Sequence, residues 1–302
     1  MSEGVSSGLR FLMGTWTGVA LLAVAGCGSP VQDAEGAVEP AIASLKSMRA
    51  ELVADVARVK PGEYFQVGVL FTIPDRSHIY WRNPGASGLP TGVEWKLAEG
   101  VEAGELLWPA PKRFEIEGWD GVSFGYESEV LLFTRVRAVD GMPNAQSLSI
   151  AARVYWLNCE EDGQCIPGDA ELQLEIPVGA GPGSSLYASL FEGYRRRVPV
   201  PPNSETVPLS LEREEGASFR VRPRADTRID FDSQGGAPDF FPDEGEAWSF
   251  ERIPGTEAGS AESIRFMPPD SGAAASGVLK VPVRWEDSGA QQMFYISISM
   301  SE

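Results

Sequence analysis

Cys159 and Cys165 stand six positions apart around Asp162-Gly163, with a long strand-like run on each side. Asp-Gly is a favoured hairpin dipeptide, because both residues tolerate the left-handed backbone of a tight turn. Before it runs Leu148 to Leu157; after it, Leu172, Leu174 and Ile176 alternate with Glu171, Gln173 and Glu175. That alternation gives the second strand one buried and one wet face. The two cysteines should therefore face each other near the mouth of an antiparallel hairpin, within reach of a disulfide.

A hairpin needs sheet partners, and the chain supplies many. Phe65 to Ile73, His78 to Trp81, Val93 to Leu97, Phe124 to Tyr126 and Val130 to Val136 read as short strands. Between them lie turn signals such as Pro74-Asp75 and Asn83-Pro84-Gly85-Ala86-Ser87-Gly88. Leu106-Leu107-Trp108 precedes a Pro-Ala-Pro break, and residues 42–57 fit a helical and a strand pattern equally. With 33 Gly and 23 Pro in 302 residues, the fold class is all-β, an immunoglobulin-like β-sandwich. Leu186, Leu190 and Tyr194 at helical spacing suggest one short helix, followed by the stiff Val198-Pro199-Val200-Pro201-Pro202. Further strands from Val207 to Met300 predict a second, smaller β-sandwich-like domain.

The N-terminus gives the address. Leu9 to Ala25 is mostly apolar and ends at Val24-Ala25-Gly26-Cys27, with small residues before the cysteine. This resembles a bacterial lipobox, in which Cys27 would be acylated and anchor the mature chain; the alternative is an ordinary cleaved signal with an incidental cysteine. The expected layout is a signal peptide over 1–26 and a lipid-anchored tether over 27–47. A redox domain over 48–180, a linker with a helix over 181–204 and a second domain over 205–302 complete it. The compartment is then extracytoplasmic, the periplasmic face of a bacterial membrane, where disulfides persist. A net charge of −18 disfavours nucleic acid as a partner. One histidine, His78, and two paired cysteines fall short of a four-ligand zinc site, so neither metal nor cofactor is expected.

Closing so short a loop removes only about 2 kcal/mol of chain entropy from the unfolded state. The pair thus suits reversible exchange, although spacing alone fits a structural clip equally well. Glu160, Glu161 and Asp162 place negative charge beside the sulfurs, which disfavours a thiolate. Such a thiol exchanges well when a partner supplies the activating group. Ser87 with His78 is the only thinkable hydrolytic pair, and that segment reads as a turn.

Several motifs in order carry a resemblance. They are His78-Ile79-Tyr80-Trp81-Arg82-Asn83-Pro84-Gly85, Ser87-Gly88-Leu89-Pro90, Trp108-Pro109-Ala110-Pro111, Phe124-Gly125-Tyr126-Glu127, and Trp156-Leu157-Asn158-Cys159 with Cys165-Ile166-Pro167-Gly168. Across about residues 48–178 the chain resembles the N-terminal periplasmic domain of DsbD- and ScsB-type thiol:disulfide interchange proteins. Residues 205–302 resemble, more loosely, the second sandwich of ScsB-like members. The resemblance implies that the pair relays electrons between a membrane thiol reductase and periplasmic thioredoxin-like proteins. Cys165 would form the mixed disulfide and Cys159 would resolve it. A loop at about Gly118 to Tyr126 would cover the pair, with Phe124 and Tyr126 as its lid. Relatives usually continue into a membrane reductase and a thioredoxin-like domain, so the donor here is expected on a separate chain. Asp75-Arg76-Ser77 stands where a Gly-Trp is usual, and Ala86 replaces an Asp. The alternative from another class is a non-catalytic binding or assembly lipoprotein that keeps the disulfide as a hairpin clip.

Overall fold

β-branched and aromatic runs broken by glycine and proline leave little choice but extended strands, and these dominate the computed structural model. It describes residues 43–45, 48–115, 121–138, 146–161, 164–179, 183–215, 218–225, 227–232, 236–255, 262–269 and 275–300. The expected signal peptide, Cys27 and most of the tether lie outside them.

The first half comprises β1 (Ala43–Leu45), β2 (Met48–Ala54), β3 (Tyr64–Thr72), β4 (Ser77–Gly85), β5 (Gly92–Leu97) and β6 (Val101–Ala103). It continues through β7 (Lys112–Glu115), β8 (Val122–Glu127), β9 (Glu129–Ala138), β10 (Ser147–Glu160) and β11 (Cys165–Pro177). One helix, α1 (Ala188–Arg195), separates these from β12 (Leu209–Arg213), β13 (Phe219–Pro223), β14 (Ile229–Phe231) and β15 (Asp239–Pro242). The chain then adds β16 (Ser249–Ile253), β17 (Ser263–Met267), β18 (Ala275–Trp285) and β19 (Gln291–Met300).

The first sandwich pairs one sheet in the order β1-β2-β3-β9-β6 with another in the order β11-β10-β4-β8-β7, β5 also lying on β10. Its core forms because alternate residues of each strand point the same way. In β10, Leu148, Ile150, Ala152, Val154 and Trp156 are all buried, while Arg153 and Tyr155 are exposed. Trp156 crosses the gap to Phe71 of β3 in the other sheet, edge-on with ring centroids 5.8 Å apart. Such edge-to-face pairs add to the apolar burial already present. Gly168, opposite Trp156 on β11, leaves room for that indole; a Cβ there would lie 2.5 Å from the ring.

The later strands form the sheets β12-β13-β17-β16 and β14-β18-β15, with β19 on β18. Their separate apolar cluster centres on Phe219, stacked on Phe266 at 5.0 Å and edge-on to Phe240 at 5.2 Å. Phe241 and Val278 instead join the first cluster. Phe241 meets Phe124 of β8 at 5.5 Å, and Arg113 of β7 grips Asp239 through two hydrogen bonds of 3.1 and 2.8 Å. Asn83 of β4 donates to the Pro242 carbonyl at 2.8 Å.

Several expectations shift in detail. Residues 43–45 form β1 against β2, so strand structure begins inside the expected tether, and within the ambiguous 42–57 stretch the described residues 43–45 and 48–54 are strands. Asn83-Pro84-Gly85 belongs to the end of β4 rather than to a turn, with a register shift against β8 between Tyr80 and Gly85. Leu107 makes only an isolated bridge to Phe133. The short β6, β7 and β15 carry too few alternating residues to stand out in the sequence. The helix lies where expected, yet Leu186 falls before it and is 97% exposed, while Phe191 and Tyr194 are buried. No helix among the described residues is long and apolar enough to cross a membrane.

The helix docking can be checked directly. Phe191→Ala should cost about 3–5 kcal/mol in denaturant unfolding, as core aromatic truncations do. Leu186→Ala should stay within about 0.5 kcal/mol. Equal effects would contradict this docking.

Candidate functional site

The site is built where the end of β10 lies between two neighbours. On one side Cys159 is the direct partner of Cys165 in β11, and the two form a disulfide. On the other, Cys159 pairs with His78 of β4, which in turn pairs with Glu127 of β8. The ladder Cys165–Cys159–His78–Glu127 therefore crosses four strands at one level. The Glu160 amide donates to the Gln164 carbonyl and the Glu161 amide to the Arg76 carbonyl, both at 2.9 Å, closing this end of the sheet. Asp162 and Gly163, the expected turn, lie outside the described residues.

Strand parity then decides which side chains reach the sulfurs. Trp156, Ile79 and Trp81 belong to the inner-face core cluster. Cys159, His78 and Tyr80 belong to the opposite parity and so stand on the outer face. An outer-face cysteine would normally be wet, but Cys159 is only 2% exposed. Aromatic cover explains this. The Tyr80 hydroxyl donates to Cys159 Sγ at 3.1 Å. The His78 ring is edge-on to Tyr80 at 5.0 Å and stacked on Phe114 of β7 at 4.6 Å. Gly88 takes a positive φ of 101° against the face of Tyr80, where a Cβ would come within 2.3 Å of the ring. Cys165, by contrast, is exposed. One sulfur is thus sheltered and the other presented to solvent.

Phe124 and Tyr126 are placed differently from the lid anticipated for them. Both are fully buried members of the inner core cluster, with the Phe124 ring against Phe241 and the Tyr126 hydroxyl donating to the Pro109 carbonyl at 2.7 Å. The sheet itself separates them from the outer-face sulfurs. Residues 118–120 of the anticipated covering loop are outside the described set. Ser87, weighed as a hydrolytic nucleophile, has its Oγ 3.4 Å from Ser123 Oγ.

The electrostatics favour neutral groups beside Cys159. Burial lowers the pKa of His78, outweighing the opposite pull of Glu127 and Glu161. Burial likewise raises that of Tyr80, which keeps its proton available for donation. A hydroxyl donating to sulfur would favour the thiolate once the disulfide is reduced. Glu161 is held by Arg76 at 2.9 Å, which partly offsets the acidity of the turn, though both groups are too exposed for the pair to be strong. Among the described residues no cluster of three or more His, Cys, Asp or Glu could hold a metal ion.

Sequence reasoning found the cysteines and overlooked Tyr80, Phe114 and the role of Gly88. Part of the signal was available: period two in His78-Ile79-Tyr80-Trp81 puts His78 and Tyr80 on one face and Ile79 and Trp81 on the other.

Folding holds His78 neutral, so its contribution to stability is fully present above the unfolded pKa of about 6.5. That contribution is lost as pH falls from there through the lower folded value, because the unfolded chain takes up the proton first. Chemical unfolding between pH 8 and 5 should show stability falling with acid, and His78→Phe should flatten that part of the curve. An unchanged slope would contradict a neutral, buried imidazole.

Comparison with known proteins fits this geometry. Residues 49–177 match the family described as thiol:disulfide interchange protein DsbD, N-terminal. No functionally curated sequence matches the chain. Among solved structures the chain is similar to the N-terminal periplasmic domain of ScsB from Proteus mirabilis. The identity is 15% and the TM-score 0.53, covering 86% of this chain and 98% of that one. At that identity the likeness concerns the fold. The YadV chaperone (12% identity, TM-score 0.22, 82% and 99% coverage) is too distant for argument. The same holds for BcpA, the major pilin subunit of Bacillus cereus (11% identity, TM-score 0.24, 84% and 68% coverage). Residues 49–177 of this chain are thus similar in sequence to the DsbD N-terminal domain, and the chain is similar in fold to the ScsB N-terminal periplasmic domain.

Proposed function

We propose that the chain is an extracytoplasmic thiol–disulfide relay in which Cys165 exchanges with partners and Cys159 resolves the mixed disulfide. The observation that carries this is the asymmetry of the pair: Cys165 is exposed, while Cys159 is 2% exposed under the Tyr80 hydroxyl. An exchange site needs one sulfur that a partner can reach and a second that waits, protected, for the mixed disulfide. A clip has no need of that difference. The disulfide also joins residues already paired across 13 register positions of β10 and β11, where a covalent link adds little restraint.

Reducing equivalents would come from a membrane thiol reductase and pass to periplasmic thioredoxin-like proteins. Cys27, as an acylated residue, would hold the chain on the periplasmic face of a bacterial membrane. A redox domain over 48–180 would be followed by a second sandwich over 205–302, supported by the separate apolar cluster that most buried apolar residues of the later strands form. The second sandwich would serve as support, through Arg113–Asp239 and Phe124–Phe241.

Trapping tests the assignment. Cys159→Ala should accumulate mixed disulfides through Cys165 in the native compartment, visible as thiol-sensitive adducts on non-reducing gels. Cys165→Ala should accumulate few. Absence of adducts from both would favour the binding lipoprotein with a structural clip; adducts mainly from Cys165→Ala would reverse the two roles.

A further inference from the structure

His78 is the only histidine of the chain, and the fold sets it directly across from the sheltered sulfur. Antiparallel partners have Cβ atoms about 4.5–5.5 Å apart, so the imidazole is a first neighbour of Cys159. It is 9% exposed, and its Nε2 has no hydrogen-bond partner among the described residues. Buried polar atoms are nearly always satisfied, so an open nitrogen beside a redox sulfur calls for a reason. Purely structural roles for the ring are poorly served: Phe114 stacks on it at 4.6 Å, and a phenyl ring would do the same without an unsatisfied nitrogen.

We infer that His78 is the proton-handling residue of the exchange cycle, taking the proton from the Cys159 thiol and returning it to the departing partner sulfur. This inference rests on the exchange role proposed for the pair. In the cycle, the Cys165 thiolate first attacks a partner's disulfide. The partner's S–S bond breaks, a Cys165–partner disulfide forms, and one partner sulfur leaves as thiolate. Cys159 then passes its proton to Nε2, and its thiolate attacks Cys165 Sγ. The Cys159–Cys165 bond forms, and the electron pair of the mixed disulfide leaves on the second partner sulfur. The imidazolium gives its proton to one partner thiolate, and the proton released when Cys165 ionised, carried by solvent, completes the other. Two electrons and two protons pass from the cysteine pair to the partner; the opposite direction runs the same steps backwards.

The surroundings suit this task. Glu127 on β8 faces the imidazole and is itself paired with Lys112 of β7. Glu161, beyond β10, is paired with Arg76 just before β4. Tyr80, on the same strand, contacts the sulfur. The two carboxylates favour the imidazolium that the transfer creates, and burial opposes it, so the charge is kept only transiently.

The test uses the full chain, reduced, with the aromatic disulfide 5,5′-dithiobis(2-nitrobenzoate) as probe. Thiolate release is monitored by absorbance from pH 4.5 to 9. The first release reports attack by Cys165, and the second reports resolution by Cys159. The second phase should show an inflection below about pH 6.5 in the wild type. In His78→Phe it should slow relative to the first by about 10²-fold or more, as loss of a proton-transfer group does, and lose the inflection. Phe114→Leu, which wets the imidazole while keeping it, should move the inflection upward. A second phase with the wild-type pH profile in His78→Phe, or an unmoved inflection in Phe114→Leu, would overturn the inference. Absence of the first phase in the folded wild type would instead contradict the exchange site itself.

Discussion

The register of β10 against its neighbours is the constraint on which the site depends. One strand is held by β11 along one edge and by β5 and β4 along the other. In that single alignment Cys159 lies between Cys165 and His78. Because side chains alternate, a slip of one residue would turn Trp156 outward and the sulfur inward. The slip is prevented by the same core that stabilises the sandwich. Leu148 to Trp156 present five apolar side chains to the interior, and Gly168 leaves the space that Trp156 fills. Fold stability and redox geometry are thus two faces of one strand.

Parity also explains how a sulfur can be buried outside the core. The outer face at this level carries His78 and Tyr80, capped by Phe114 from β7 and by the backbone at Gly88. These groups exclude solvent from Cys159 and leave Cys165 open. Strand β7 links the site to the later sandwich, since Arg113 binds Asp239 while its neighbour Phe114 covers His78. Adjacent residues of one short strand therefore face in opposite directions, one toward support and one toward chemistry.

Much of this was legible in the sequence. The hairpin, its paired cysteines and the wet face of β11 come from period two and an Asp-Gly turn. The all-β class comes from the density of turn residues. The placement of Phe124 and Tyr126 was not legible, because it depends on how β8 registers against β4, and that ladder shifts between Tyr80 and Gly85. Sequence shows that two aromatics share a face, not which face the partner strand makes the inner one. Strands such as β7 and β15 were missed for a related reason. At four residues each, they are specified by their partners rather than by their own pattern.

The central claim is that the Cys159–Cys165 disulfide is an exchange site rather than a clip. Its reduction potential tests that most directly, measured by equilibrating the full chain with glutathione buffers and counting alkylated thiols by mass. An exchange site should have a potential above about −300 mV, within the span of proteins that exchange disulfides. A value well below that, where structural disulfides resist the glutathione pool, would contradict it.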